Sequence, residues 1–396
     1  MPRHLPDHID TLVVGAGPVG ALAALKLAEA GRKVALVEAR PEHAPVRDAR
    51  ALALSWASRQ ALVEAGIWRD DLPATAIDTV HVSQQGSWGR TVLSRDDLKL
   101  PHLGVVVDYP ALSEALVTSL AERALPVAWG TRVTAIDTLS AYARVMLKSD
   151  AGESEVTARL VVLAEGGDLV DSLPGLSRRV HDYGQSALLA EVKCDKPHDG
   201  VAFERFSKRG PLALLPRGDG FMLVWTRTPE DAHELRDGDP AELEKQLAEA
   251  MGERLGAFHL SGARAVFPLT LKEVNHRVSR RVALIGNAAQ TLHPVAAQGL
   301  NLGIRDALAL AAALKGSADA GDAAALASYE RARHLDSGAV VGFTHQLVRF
   351  FDSHGPLVSA ARGLGMNLLD AAPGLRRRFA GHLVFGVGTQ SLDKTP

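Results

Sequence analysis

The sequence predicts an α/β fold in which a Rossmann-like domain on a parallel sheet is interrupted by an inserted β-rich domain and followed by C-terminal helices. A glycine motif at 15–20 joins a strand-like segment to a helix, and a second motif at 281–306 does the same. Between them, from about residue 181, the pattern changes to longer alternating strands. Two such motifs nearly the whole chain apart predict one long cofactor held at both ends, which FAD fits better than NAD.

The first motif has the order of a βαβ unit. A strand at 9–14 leads through the glycine turn into a helix, and a second strand at 34–37 ends in Glu38. The three glycines allow a tight turn, room for a pyrophosphate and close packing of helix on strand. Glu38 is spaced as an acid that binds a ribose would be; a tight βα turn without a ligand is the alternative. The candidate cofactor-binding residues here are Gly15, Gly17, Pro18, Gly20 and Glu38.

The second motif predicts a buried strand at 282–285, a turn rich in small residues and proline, and a helix starting near Gly299. Backbone amides at the start of a helix favour an electron-rich group. A further strand, 160–164, runs into Glu165 and Gly166, which predict contact with the ribityl and pyrophosphate region of the cofactor. An ordinary turn at the end of a strand explains those two residues equally well.

Arg50 opens a segment, 51–65, that the sequence predicts to be helical. Its cation could lie along the flavin ring or the pyrophosphate, or simply be solvated. The other expected elements are short strands and turns over 75–100, a helix over 111–123, strands over 133–136, 143–148 and 155–158, a hairpin of strands 212–216 and 221–226, and a helix over 243–255. We therefore expect a discontinuous FAD-binding domain at 1–74, 101–178 and 265–396, with a β-rich substrate domain at 75–100 and 179–264.

Composition excludes several classes of protein. The 396 residues suffice for two hydrophobic cores, and a net charge of −2 argues against a nucleic-acid-binding surface. A single cysteine, Cys194, allows no internal disulfide and predicts a reducing compartment. The histidines show no metal-ligand spacing, so no metal site is expected. Neither a signal peptide nor an apolar run of about 20 residues stands out, which predicts a cytoplasmic protein.

The chain resembles the flavin-dependent aromatic hydroxylases of the para-hydroxybenzoate hydroxylase type. It is most similar to the ubiquinone-biosynthesis hydroxylases, and within them to the 2-octaprenyl-6-methoxyphenol hydroxylase branch. The resemblance covers almost the whole chain and implies an FAD-binding domain of the glutathione-reductase type. It is carried by the first glycine turn, by 50–54 and 75–83, by Ala202-Phe-Glu-Arg-Phe206 with 210–216, and by the 281–306 motif.

The resemblance implies a reaction in which reduced FAD adds oxygen at C4a and the C4a-hydroperoxyflavin hydroxylates the ring of a polyprenylated phenol, similar to 2-polyprenyl-6-methoxyphenol, in ubiquinone biosynthesis. NAD(P)H or another reductant supplies the electrons, and O2 the oxygen. Two alternatives stay open: a flavin-binding, non-catalytic subunit of a quinone-biosynthesis complex, and a hydroxylase of a soluble aromatic acid.

The family also implies roles for residues of the second motif. Asn287 stands where an Asp usually binds the ribityl chain, and Pro294 would lie beside the flavin C4a edge. The backbone amides around Gly299, Leu300 and Asn301 would face the pyrimidine end of the ring. The candidate catalytic residues are Pro294, His293 as a base, and Arg50. The chain departs from the broad family pattern at Asn287, Gln290, Ala297 and Glu165, and the last two departures could loosen FAD binding.

Two surfaces follow from the resemblance. The substrate pocket is expected between the inserted sheet and the flavin, with Phe203, Phe206, Leu212, Leu214 and Trp225 as candidate lining residues or core. The C-terminal helices interleave apolar residues with Arg349, Arg362 and 376–378. They are interpreted either as helices packed on the domain or a partner, or as a basic amphipathic surface that contacts the inner membrane peripherally.

Overall fold

The computed structural model describes residues 5–42, 44, 50–293, 298–352 and 356–386. The strands are β1 (His8–Val14), β2 (Val34–Glu38), β3 (Ala51–Ser55), β4 (Ala74–Ile77), β5 (Thr79–Gln84), β6 (Arg90–Ser94), β7 (Gly104–Asp108), β8 (Val127–Trp129), β9 (Arg132–Thr138), β10 (Ala143–Ser149), β11 (Gly152–Leu163), β12 (Arg178–Cys194), β13 (Val201–Ser207), β14 (Gly210–Arg217), β15 (Gly220–Arg227), β16 (Phe258–Val274), β17 (Val278–Ser279), β18 (Val282–Leu284) and β19 (Gln290–Thr291). The helices are α1 (Pro18–Glu29), α2 (Trp56–Glu64), α3 (Arg95–Leu98), α4 (Tyr109–Glu122), α5 (Pro229–Asp237), α6 (Pro240–Met251), α7 (Gln298–Leu314), α8 (Ala323–Asp352), α9 (Pro356–Ala371) and α10 (Pro373–Phe385).

The first sheet confirms the predicted Rossmann-like unit. Its order is β17-β18-β11-β1-β2-β8, and β18, β11, β1, β2 and β8 run parallel along their shared edges. The apolar runs of β1 and β2 are buried on both faces, because α1, α4 and α7 cover one face and the hairpin of β9 and β10 with its loops covers the other. The carboxyl ends of β1, β2, β11 and β18 therefore meet at one edge of the sheet.

Segments 155–158 and 160–164, expected as two strands, form one. The first half of β11 pairs antiparallel with β10, and its second half pairs parallel with β1 and β18. The strand needs no break between its two roles because each half finds a different neighbour.

The second sheet has the order β19-β16-β12-β15-β14-β13-β5-β6. One face packs against α5 and α6 around the buried Trp225. The predicted hairpin around 217–220 is confirmed. The edge strand β19 comes from the second cofactor motif and pairs with β16, with Thr291 opposite Lys272. The inserted sheet and the cofactor loop are thus joined by backbone hydrogen bonds.

The helix expected over 51–65 is wrong in its first part. Residues Ala51–Ser55 form β3, which pairs antiparallel with β7 in a small third sheet, and only Trp56–Glu64 is helical. The alanines and leucines of this stretch favour a helix locally. Pairing with the buried strand β7 overrides that preference, and the side chain of Ser55 caps the helix that follows by accepting a hydrogen bond from the Ser58 amide.

Candidate active site

A groove of about 750 Å³ runs along the carboxyl edge of the first sheet. It is bordered by the glycine turn, the end of β2, the turn after β11 and the start of α7, so the structure brings together the predicted cofactor residues of all three segments. Lining residues from the predicted set are Gly15, Gly17, Pro18, Glu38, Arg50, Glu165, Gly166, Asn287, Gly299 and Leu300. The N-termini of α1 and α7 both open onto this groove.

The glycine turn shows two different reasons for glycine. Gly15 has a φ of +100°, which L side chains rarely adopt, and a Cβ on Gly20 would overlap the carbonyl oxygen of Gly15. These two glycines shape the protein itself. Gly17 is different, because its φ is −69° and a Cβ there would meet no atom of the described residues within 4 Å.

The groove fits FAD, because it is lined by glycines that the protein's own backbone and packing do not require. Gly166 and Gly299 resemble Gly17: neither has a left-handed backbone, and within the described part of the chain a Cβ on either would meet nothing closer than 4 Å. Three glycines that the fold does not require therefore face one groove from three chain segments. Backbone amides left accessible beside two helix N-termini are the donors that bind a pyrophosphate, so the residues present suit a dinucleotide.

Glu38 holds the glycine turn in place. Its carboxylate accepts hydrogen bonds from the Ala16 amide at 2.7 Å and the Arg40 amide at 2.9 Å. The side chain is buried at the end of β2 and also lines the groove. Its predicted contact with a ribose is therefore compatible with a second task, positioning the first turn.

Glu165 keeps one oxygen for a further partner. Its Oε2 accepts a hydrogen bond from the Asp168 amide at 3.2 Å, while its buried Oε1 has no partner among the described residues. Burial is the main reason that its pKa is raised above the ordinary value of 4.5. Glu165 therefore lines the wall of the groove with an oxygen that can accept a hydrogen bond.

A buried charge network supports the second motif, and the sequence analysis did not single it out. The carboxylate of Asp306, fully buried in α7, accepts hydrogen bonds from the Gly286 amide at 3.1 Å and from Nε2 of Gln290 at 2.8 Å. It also pairs with Arg333 at 2.7 Å and with Arg277 at 3.4 Å. Gln290, one of the departures from the family pattern, therefore anchors the cofactor loop to α7. An Asp in an apolar helix stretch was the available signal.

The remaining residues of the second motif have separate positions. Asn287 is exposed at the groove, and the amide side chain of Asn301 bridges to β3, accepting from the Ser55 amide at 2.8 Å and donating to the Ala53 carbonyl at 3.1 Å. Asn301 thus positions strand β3, which directly follows Arg50, relative to its own helix, α7. Pro294 and Ala297 lie outside the described residues, so their expected roles stay predictions.

A second cavity, of about 430 Å³, adjoins the groove. The two share the lining residues Arg50, Leu52, Thr291, Leu292, Gly299 and Leu300. The cavity lies between the inserted sheet, the β3 sheet and α10, and most of its lining is apolar. A flat ring placed where the groove meets the cavity would contact lining residues of both.

The sheet presents a different set of residues to this cavity than expected. Of the five candidates only Phe203 reaches the lining, and it also packs with Leu212, Leu214 and Trp225 in the cluster that faces α5 and α6. Successive side chains of a strand alternate between the two faces of the sheet. The bulky side chains lie on the face that packs against α5 and α6. The cavity receives the intervening positions, which are smaller: Ala187, Leu189, Ala202, Ala213, Leu215 and Val224.

Three ionisable side chains line the cavity within the described part of the chain: Arg50, Glu204 and His293. The Arg50 guanidinium lies 5.2 Å from the centre of the Phe267 ring. His293 is 1% exposed beside the Tyr183 ring, and burial lowers its pKa to about 4, which makes it a weak base. Burial raises the pKa of Glu204 to about 8.

Comparisons with known proteins agree with this geometry. A family model described as an FAD binding domain matches residues 8–344. The chain is 33% identical to ubiquinone hydroxylase UbiL of Rhodospirillum rubrum, over 98% of this chain and 91% of that protein. It is 30% identical to 3-demethoxyubiquinol 3-hydroxylase of Escherichia coli, over 92% and 96% respectively. The solved p-nitrophenol 4-monooxygenase PnpA from Pseudomonas putida DLL-E4 shares the fold, with a TM-score of 0.77 at 20% identity over 96% of this chain and 100% of that one.

Proposed function

The chain belongs to the FAD-dependent hydroxylases of ubiquinone biosynthesis, and on that premise we propose that it hydroxylates the aromatic ring of a phenol that carries a polyprenyl tail. The observation that carries this proposal is the apolar cavity of about 430 Å³ that adjoins the dinucleotide groove. A soluble aromatic acid would need a cation to pair with its carboxylate. Arg50, at the junction, is the single Arg or Lys among the described lining residues, which favours a neutral, lipophilic ring.

We propose that the groove residues hold FAD. Gly15, Gly17 and Pro18 would contact the pyrophosphate, with Gly20 allowing the close packing of the turn that supports them, and Glu38 would contact a ribose. Glu165, Gly166 and Asn287 would contact the ribityl region, and Gly299, Leu300 and Asn301 would face the ring, with Pro294 beside it. The division of the chain into a discontinuous FAD-binding domain and an inserted substrate domain is part of the same proposal.

When bound and reduced, FAD activates O2 for transfer of one oxygen atom to the ring. The tasks left to the protein are binding, orientation and exclusion of water. The apolar residues of the sheet and of α10 would surround the ring and exclude water from it. Asn301 would keep Arg50 and β3 at the junction through its two hydrogen bonds with the β3 backbone.

The tail needs an apolar path, and α10 supports one. Ala380, Leu383 and Val384 of this helix line the cavity. On the same helix Leu375 is 56% exposed, and on the preceding helix, α9, Leu364 and Leu368 are 57% and 58% exposed. A lipid tail leaving the cavity along α10 would therefore follow a helix that carries an exposed leucine.

The same leucines support peripheral contact with an anionic membrane as part of the proposal. Arg377 and Arg378 are exposed beside them, whereas Arg376 pairs with Asp97 at 2.8 Å and Arg362 is buried. None of the described helices is long and apolar enough to span a bilayer. Flotation with anionic liposomes should carry the protein upward and should fail for a variant with Asp at the three leucines; no flotation of the wild type would contradict this part.

Turnover tests the main proposal. The purified protein, saturated with FAD, is supplied with NAD(P)H, O2 and either a polyprenylated methoxyphenol or a short aromatic acid, and products are identified by mass spectrometry. We expect one added oxygen atom on the prenylated ring and little on the acid. Tight coupling on the acid alone would favour the soluble-substrate alternative. Deletion of the gene should cause the corresponding unhydroxylated quinone precursor to accumulate.

A further inference from the structure

Glu204 places a carboxyl group in the wall of the substrate cavity. It lies on β13, opposite Ala213 of β14 and Val82 of β5. The next residue, Arg205, points to the other face, where it donates to the Ala250 carbonyl at 2.5 Å and to the Ser83 hydroxyl at 3.0 Å. Strand alternation thus turns Glu204 toward the cavity and separates it from the nearest arginine in sequence.

No residue of the described chain pairs with this carboxyl group. Its neighbours across the sheet, Ala213 and Val82, are apolar, and desolvation is the one cause that raises its pKa. Among the described residues, the other ionisable groups facing the cavity are Arg50, beside the Phe267 ring, and His293, which is neutral at pH 7 because burial lowers its pKa to about 4. A partly desolvated carboxyl group without a partner costs stability. Such a group in a cavity is a candidate for contact with a ligand.

We propose that Glu204 hydrogen-bonds the phenolic hydroxyl group of the substrate and accepts its proton as the ring is hydroxylated. This inference rests on the proposed function, because it requires a phenol in the cavity. The phenol O–H bond breaks, its electron pair stays on the oxygen, and the proton passes to a carboxylate oxygen of Glu204. The resulting phenolate donates electron density to the ring carbons ortho and para to it, which makes them more reactive toward an electrophilic oxygen.

The step balances within the hydroxylation. One atom of O2 enters the ring and the other leaves as water, which takes up two electrons from the reductant and two protons. The ring hydrogen at the attacked carbon then leaves as a proton, and the proton held by Glu204 returns to the first oxygen. Glu204 is ionised again for the next cycle. Because its pKa lies near 8, its carboxylate is a stronger base than an exposed one and is better matched to a phenol.

A single-turnover experiment tests the inference without the natural reductant. Enzyme reduced by dithionite is mixed with O2 and a polyprenylated phenol, and hydroxylated product is counted per flavin oxidised, as a function of pH. Loss of a positioned base should lower the rate of product formation for Glu204→Gln by about 100-fold or more, with FAD content unchanged. The wild-type rate should fall as the pH drops below about 8. Glu204→Gln should lack this decrease in rate, which reports protonation of Glu204. Its rate should instead rise with pH only as the free phenol ionises.

Two further variants make the outcome specific. Glu204→Asp keeps a carboxylate and should recover part of the rate together with the acid limb. Glu249→Gln removes an exposed carboxylate from α6, on the opposite face of the sheet, and should behave as the wild type. Unchanged rate and pH profile in Glu204→Gln, while the wild type hydroxylates the phenol, would overturn the inference. A wild type that hydroxylates no prenylated phenol would instead overturn the proposed function.

A binding measurement covers the case in which Glu204→Gln does not fold. The affinity of the oxidised wild-type enzyme for the prenylated phenol and for its methyl ether is read from the change in flavin absorbance. A hydrogen bond to a buried carboxyl group predicts roughly tenfold tighter binding of the phenol. Equal affinity for the two compounds would overturn the inference on the wild-type protein alone.

Discussion

Replacing Glu204 by glutamine should make the protein progressively more stable than the wild type as the pH rises, with no substrate present. Burial raises the pKa of this carboxyl group from 4.5 to about 8. The folded chain therefore binds more protons than the unfolded chain between those values, so wild-type stability falls as the pH rises from 4.5 to 8 and is level above it. At about 1.4 kcal/mol for each pH unit, the free energy of unfolding of the wild type falls by about 5 kcal/mol across that interval.

Thermal unfolding of the FAD-saturated proteins measures this effect. About 3 kcal/mol of it falls between pH 5.5 and 8, and a chain of this length unfolds with an entropy of about 0.8 kcal/mol/K. The melting temperature of Glu204→Gln should therefore gain about 4 °C on the wild type over that range, whereas Glu249→Gln should follow the wild type. If Glu204→Gln and the wild type respond to pH in parallel, the carboxyl group is not buried without a partner, and the reasoning fails.

Four other substitutions follow from the site. Gly20→Ala should lower both stability and FAD content, because the added Cβ overlaps the Gly15 carbonyl oxygen. Gly17→Ala should lower FAD affinity alone, since no atom of the described residues lies within 4 Å of the added Cβ. Absorbance at the flavin band measures FAD content, and thermal unfolding measures stability. Asp306→Ala should lower the free energy of unfolding by about 3–5 kcal/mol in urea denaturation, because it removes a buried carboxylate that pairs with both Arg277 and Arg333. Ala213→Leu should raise the KM for the prenylated phenol in steady-state turnover by filling the cavity, with FAD content unchanged.

Each of these has its own check. Asp319→Ala removes the partner of Arg281 at a partly exposed position, so it should cost about 1 kcal/mol or less; an equal loss for Asp319→Ala and Asp306→Ala would contradict the role of burial. Full FAD affinity in Gly17→Ala would argue against FAD in the groove. An unchanged KM in Ala213→Leu would place the substrate elsewhere.

Local pattern failed where tertiary contacts decided the outcome. The stretch 51–55 has helix-forming residues but is a strand, because β7 offers it a buried partner and Asn301 bonds to its backbone. The cavity lining was expected at Leu212, Leu214 and Trp225, which instead face α5 and α6. Alternation along a strand predicts which residues share a face but not which face the helices cover.

The sequence by itself determined the βαβ unit, the glycine turn, the second cofactor motif and the family, since these depend on residue types at short, fixed spacings. Only the tertiary structure decided that Asp306 holds the second motif through Gly286 and Gln290, and that Glu204 faces an apolar cavity with no partner among the described residues. Both depend on contacts between segments distant in the chain. The electrostatic environment of a carboxyl group is set by what surrounds it in space, and no spacing along the chain records that.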